Sequence, residues 1–326
     1  MLHRFAAVNA SRGNRGRRAL RLALVAEEAA GLGVLRWALE AGHRVEMVLT
    51  STHDPRSGGL WRAASGVGVP VRPSRLVKTA ALAHELRARE VDLLVNVHSL
   101  HVIHDAVLEA PRIGSFNVHP GPLPRYAGLN APTWAIWRGE REHGVTVHHM
   151  IAGIDTGPIA YQSRLPIAPN DTAFSLGVRC AEEGMRLMSM LIATAASDPG
   201  AIPRVEQDLS VREYFGRRLP EDGWVPWDRR VTDVLRLLRA LDYHPFPSPI
   251  GHARTRVGPI ELSIVRATGV DASPGGVPGL VAHGPDRAVQ VGCADGWVRL
   301  DVTRLGGKRV DPADVLSPGD RLARAA

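Results

Sequence analysis

VDLLVNV (91–97) is an apolar run without alternation, closed by His98 and Ser99. Such a run suits a strand covered on both faces within a parallel sheet. Working back from it, a helix is expected near Thr79–Arg89, and the Gly- and Pro-punctuated stretch from Ser51 to Pro73 reads as loop. Further back, LRLALV (20–25) and RVEMVLT (44–50) are strand-like runs that flank AAGLGVLRWALEAGH (29–43), whose apolar residues keep helical period. Working forward, a short helix near Ile103–Glu109 leads to IGSFNVH (113–119), a fourth strand-like run. Four such runs separated by helices predict a doubly wound, mostly parallel α/β sheet with right-handed crossovers.

Past that core come a loop dense in Pro and Gly (120–132), a helix near Thr133–Trp137 and the alternating strand VTVHHMI (145–151). The turn AGIDTGP (152–158), the strand IAYQSRLPI (159–167) and a helix over 172–196, with Asp171 as its expected N-cap, follow. Beyond Pro199 the texture changes. A connector rich in Arg, Asp and Pro precedes an amphipathic helix, RVTDVLRLLRALD (230–242). Short β-like runs with turn signals come next: IELSIVRA (260–267), GLVAHG (279–284), AVQVG (288–292) and WVRLDVTRL (297–305). These fit a small β-barrel or open-barrel module.

The 326 residues are 44% hydrophobic and 22% charged, enough to build real cores and too apolar for a chain disordered throughout. Formal net charge is +7, but Arg4, Arg12, Arg15, Arg17 and Arg18 supply five of those charges with no acid among residues 1–18, leaving +2 for the rest. A nucleic-acid footprint would gather Lys and Arg into a stripe, and none follows Arg18. The arm over 1–19 reads as disordered, with polyanion binding its functional option. Cys180 and Cys293 make no disulfide framework and no metal-ligand cluster, so a reducing cytoplasm is expected. No stretch reaches the ~18–20 apolar residues of a membrane helix.

In a doubly wound sheet, ligands bind beyond the carboxyl ends of the strands. Asn117 and His119 lie at such an end, two apart and therefore on one face, and Asp155 sits in the later turn. A strand-end Asn, a lone His and a turn Asp often do no more than satisfy backbone groups. The loop shifts that balance: four prolines (Pro120, Pro122, Pro124, Pro132) stiffen HPGPLPRYAGLNAP (119–132) into a preorganised wall. An amide and an imidazole held together, with a carboxylate to orient the imidazole, can stabilise a tetrahedral oxyanion and move a proton in acyl transfer. No Gly-x-Gly-x-x-Gly follows the first strand, which argues against dinucleotide-dependent redox chemistry. A binding protein that uses the crevice without turnover is the non-enzymatic alternative.

At FNVHPGPLPRYAG (116–128), APTWAIWRGE (131–140) and HGVTVHHMIAGIDTGPI (143–159) the chain resembles the folate-dependent formyltransferase family. The family pattern Asn-x-His, Leu-Pro-x-x-x-Gly and Asp-x-Gly is met by Asn117 and His119, by Leu123, Pro124 and Gly128, and by Asp155 and Gly157. The resemblance covers most of residues 20–200, and DPADVLSPGDRL (311–322) resembles a piece of the OB-like module that several members append. Composition and texture predict a basic arm over 1–19, one domain over 20–203, a linker over 204–228 and a second domain over 229–326; the resemblance implies that the first is the catalytic domain and the second the OB-like one. It implies 10-formyltetrahydrofolate as donor and no metal. Asn117 and His119 are then expected to hold the oxyanion, while Asp155 orients His119 and assists in deprotonating the attacking amine. The folate wall is expected from Leu94, Asn96, Val102, Gly121, Leu123, Pro124, Gly128, Gly153 and Ile154.

Departures from the family bear on the acceptor. Members acting on transfer RNA usually carry Gly-Thr-Pro-x-Phe after the first strand and a longer basic loop after the second. Here those places hold VAEEAAG (25–31) and STHDPRSGGLW (51–61). With the near-neutral body, this favours a small-molecule or carrier-bound amine of the natural-product, siderophore or amino-sugar kind. Methionyl-tRNA is the alternative. For Tyr214, Phe215, Trp224 and Trp227, domain-interface packing is expected over an acceptor wall.

Overall fold

The structure is a computed structural model that describes residues 18–51, 58–99, 101–246, 248–270 and 275–324. Apart from Arg18 and Ala19, the basic arm lies outside the described residues. Strand β1 (Arg21–Ala26), helix α1 (Glu28–Glu40) and strand β2 (Arg44–Thr50) follow as expected. The stretch read as loop is not all loop: it holds helix α2 (Gly58–Gly66) and strand β3 (Val71–Pro73). Leu60 and Ala64, four apart, bury one side of α2, and Val71 pairs with Val48 of β2; glycines at both helix ends and a proline in the strand hid these signals.

Helix α3 (Ala81–Ala88), strand β4 (Leu93–Val97), helix α4 (Asp105–Leu108) and strand β5 (Gly114–His119) complete the parallel part of the sheet. Short β6 (Ala127–Gly128) and helix α5 (Ala131–Trp137), with Pro132 in its first turn, precede β7 (Glu142–His149) and β8 (Ile159–Pro166). The sheet order is β3-β2-β1-β4-β5-β7-β8, with β7 antiparallel to β5. All five residues of β4 are buried, as a central strand of a doubly covered sheet requires. Ala23, Val25, Met47, Leu49 and Leu94 pack there with Leu82 and Leu86 of α3. Helix α6 (Ala173–Ser197) starts at Thr172, whose hydroxyl oxygen accepts from Ser175 N at 3.1 Å. Asp171, expected as the cap, instead accepts from Ala168 N and the Ser175 hydroxyl and pairs with Arg179.

Short β9 (Tyr214–Phe215) and helix α7 (Val231–Ala240) lead to an antiparallel sheet of β10 (Ala253–Val257), β11 (Ile260–Val270), β12 (Val281–His283), β13 (Val289–Gly292), β14 (Trp297–Leu305) and β15 (Lys308–Val310). Its order is β10-β11-β14-β13-β12, with β15 on β14, and register shifts near Arg266 bend the long β11 into a half-barrel. Strand β10 escaped the sequence reading because Arg254 and Arg256 alternate with the buried Ala253 and Thr255, which leaves little apolar signal. Val234, Leu237 and Leu238 of α7 close one core with Leu262, Ile264, Val291 and Val298.

Two compact units interleave along the chain. One comprises the described residues up to Ala127 with Gly144–Arg164 and Cys180–Glu213; the other comprises Gly128–His143, Leu165–Arg179 and the described residues from Tyr214 on.

Candidate active site

In the pleat of β5, Asn117 and His119 share a face. Asn96 of β4 is the register partner of Asn117 on one side, and His148 of β7 is its partner on the other. Three polar side chains therefore stand in one row across three adjacent strands. Asn96 Nδ2 donates to Asn117 Oδ1 at 3.0 Å, and Asn117 Nδ2 donates to His148 Nε2 at 3.1 Å. His148 Nδ1 lies 2.8 Å from the His149 carbonyl. A carbonyl only accepts, so Nδ1 carries the hydrogen and Nε2 presents the lone pair. The row thus runs in one direction, and the orientation of the Asn117 amide follows from both neighbours.

Asp155 reaches the same place from the turn after β7. Its φ of +56° is a left-handed conformation that Asp tolerates. The Gln207 amide fastens the turn by donating to the Asp155 and Gly157 carbonyls at 3.0 and 2.6 Å. Asp155 Oδ2 lies 3.4 Å from His119 Nδ1, and Oδ1 lies 3.4 Å from His148 Nε2. His119 Nε2 donates to the Tyr126 carbonyl at 2.7 Å, so the lone pair of a neutral ring faces the carboxylate. Burial pushes the His119 imidazole below its ordinary range, against the opposing pull of Asp155 and the Tyr126 bond. The ring is held neutral, with a berth for one proton between Nδ1 and Asp155.

The loop after β5 is tied down rather than merely stiff. Thr146 Oγ1 donates to the Gly121 carbonyl at 2.7 Å and accepts from Leu123 N at 3.2 Å, while Gln162 Nε2 donates to the Leu123 carbonyl at 2.9 Å. A side chain at Gly121 would put its Cβ 2.6 Å from His119 Nε2 and 2.8 Å from the Tyr126 carbonyl, so only glycine leaves that bond intact.

The expected catalytic trio therefore comes together, with the His148 ring lying beside both Asn117 and Asp155. The expected wall residues are spread more widely. Asn96 bonds Asn117, and Gly121 abuts His119. Leu123 is buried against Thr146 and Gln162 through its backbone, with Pro124 next to it. Leu94 is wholly enclosed in the core, whereas Val102 is 67% exposed. Gly153 (φ +103°) and the exposed Ile154 lie on the Asp155 turn, where the Ile154 carbonyl accepts from Arg212 at 2.9 Å. Gly128 falls in the other compact unit, at φ +92° and with no room for a Cβ beside the Phe215 carbonyl. His148 was not read from the sequence as a site residue. Laying VTVHH antiparallel to FNVH would have set it opposite Asn117. Among the described residues no group of three or more His, Cys, Asp or Glu side chains could hold a metal ion.

A mostly parallel α/β sheet with an Asn–His–Asp constellation at its carboxyl edge, next to a separate antiparallel half-barrel in the chain, defines a Rossmann-type acyl-transfer enzyme. Residues 34–192 match the family described as Formyl transferase, and residues 219–318 match Formyl transferase, C-terminal domain. The chain belongs to the formyl transferase family. A methionyl-tRNA formyltransferase of Methylobacillus flagellatus is 29% identical over 301 residues, 88% of this chain and 94% of that protein. The fold is similar to that of an N-formyltransferase from Helicobacter canadensis solved with folinic acid and dTDP-3-aminofucose (TM-score 0.65, 19% identity, 86% of this chain and 99% of that one). It is also similar to HypX from Aquifex aeolicus in complex with tetrahydrofolic acid (TM-score 0.60, 22% identity, 91% of this chain and 46% of that one).

Proposed function

We propose that this enzyme moves the formyl group of 10-formyltetrahydrofolate to the amine of a small-molecule or carrier-bound acceptor, such as a natural-product, siderophore or amino-sugar intermediate. The observation that carries the transfer chemistry is the convergence of Asn117, His148, Asp155 and His119 through contacts of 3.1–3.4 Å. The residues present suit a folate. Asn96 Oδ1 is a buried acceptor without a partner, next to Asn117, and can take an N–H of the ligand's bicyclic ring. When bound, the folate would supply a formyl group carried on an aryl-substituted nitrogen, which leaves as a secondary amine.

The protein's part is electrostatic and proton-handling. Asn117 spends one amide hydrogen on His148, which leaves its second for the oxygen on which negative charge builds as the amine attacks. The acceptor attacks only as a free amine, so the site must take its proton. The berth between His119 Nδ1 and Asp155 receives it, and the imidazolium so formed is a double donor, to Tyr126 and to Asp155. That proton then goes to the leaving nitrogen. His119 reaches the reacting oxygen directly only by exchanging its Tyr126 bond.

The small-amine reading is supported by the near-neutral charge after Arg18 and by VAEEAAG and STHDPRSGGLW in place of the segments usual for transfer-RNA substrates. The relative in Methylobacillus favours the second reading, methionyl-tRNA as acceptor. Folate release measured across amino-sugar nucleotides, hydroxylated diamines, carrier-bound amino acids and methionyl-tRNA decides between them. Turnover with a small or carrier-bound amine is the expected result; turnover with methionyl-tRNA alone overturns it.

A further inference from the structure

A cavity of about 360 Å³, of a size that small ligands use, opens in the second compact unit between the carboxyl end of α5, the segment 167–171 and α7. None of the catalytic side chains lines it. Its floor is apolar, with Ile136, Ile167 and Leu235, and Arg141, Arg236 and Arg239 bring positive charge to its walls. The acids nearby do not balance that charge. Asp171 is occupied by Arg179, Ala168 N and the Ser175 hydroxyl, and the lining holds one other acid, Glu140, against its three arginines.

Arg236 pairs with Asp233 at 3.2 Å and lies over Gly139, where a Cβ would come within 2.9–3.1 Å of the guanidinium. Arg239, one turn on along α7, is different. It is half-buried, its Nε is buried without a hydrogen-bond partner, and it has no carboxylate partner among the described residues. Burial and the adjacent Arg236 charge push it below the ordinary guanidinium range. A desolvated cation left without a counter-charge is costly, and a bound anion removes that cost.

We infer that this cavity binds a small organic anion, a carboxylate or phosphate ester whose apolar body rests on Ile136, Ile167 and Leu235 while its head group pairs with Arg239 and Arg236. Calorimetric titration of the full-length protein with phenyl phosphate, benzoate and inorganic phosphate tests this. One saturable site is expected for phenyl phosphate or benzoate, and the tighter of the two identifies the head group. Arg239→Gln should weaken it about tenfold or more. Ala168→Phe, a change at an exposed position on the rim that fills the cavity, should abolish it, and Asn117→Ala should leave it unchanged. Circular dichroism confirms folding of each variant. The inference is overturned if neither organic anion saturates, if both pocket variants bind like the parent, or if Asn117→Ala removes binding. Inorganic phosphate binding as tightly as phenyl phosphate would overturn the apolar half of the assignment.

Discussion

Asn117 owes its usefulness to being unable to turn over: one neighbour demands its carbonyl oxygen and the other its amino group. Asn117→Ala should lower turnover by roughly 10²–10³, the usual cost of a lost oxyanion donor, in a folate-release assay. Full activity in that variant would remove the catalytic assignment. Asn96→Leu takes away both the bond that orients Asn117 and the acceptor offered to the folate ring, so a milder loss of about 2–10-fold in kcat, the scale of one neutral hydrogen bond, and a higher KM for the folate are expected. The trio Asn117, His119 and Asp155 was legible because i,i+2 spacing puts two of them on one face and the motif supplies the third. His148 and the orienting role of Asn96 were not, since both follow from inter-strand register, which a linear sequence does not display. Leu94 and Val102 show the same limit from the other side. Leu94 lies within β4 and is enclosed, whereas Val102 lies in the loop between β4 and α4 and is open.

Helix α6 holds the rear of β5. A Cβ at Gly184 would lie 2.5 Å from Val118 Cγ1, so the helix approaches the strand as closely as glycine permits. Val118 sits between Asn117 and His119 in the chain, and any push on it moves both. Gly184→Val should destabilise the protein by about 1–3 kcal/mol in urea denaturation and lower kcat at temperatures where the variant is still folded. Unchanged stability would show that the contact relaxes freely. Elements marked by a continuous apolar run, such as β1 and β4, or by a clean helical period, such as α7, were legible, whereas α2, β3, β10 and β15 were not. Those four are short, charged, or broken by Gly and Pro, and hold their shape through pairing to longer neighbours.

Across the whole molecule, His101, His119, His149 and His252 are all pushed below the ordinary imidazole value of 6.5, in each case chiefly by burial. Unfolding frees them to bind protons. Near and below pH 6.5 the unfolded chain therefore takes up more protons than the folded one, and stability should fall as the solution is acidified through that range. Thermal midpoints should be nearly flat above about pH 7 and drop progressively from pH 6.5 toward 5. His119→Gln should flatten part of that slope, and a midpoint insensitive to acid would contradict the picture. Because His119 stays neutral below its ordinary range, kcat/KM should also persist to more acidic pH than an exposed imidazole base allows.

The interleaving of the two units bears on how members of this family could exchange parts. The backbone leaves and re-enters each unit, passing at 127, 143, 164, 179 and 213 before it settles in the second. A chimaera spliced at one seam near residue 214 would graft a half-barrel while retaining the recipient's own 128–143 and 165–179, so the second unit would be assembled from mismatched pieces. Recombination that respects this architecture must transplant three separate cassettes together.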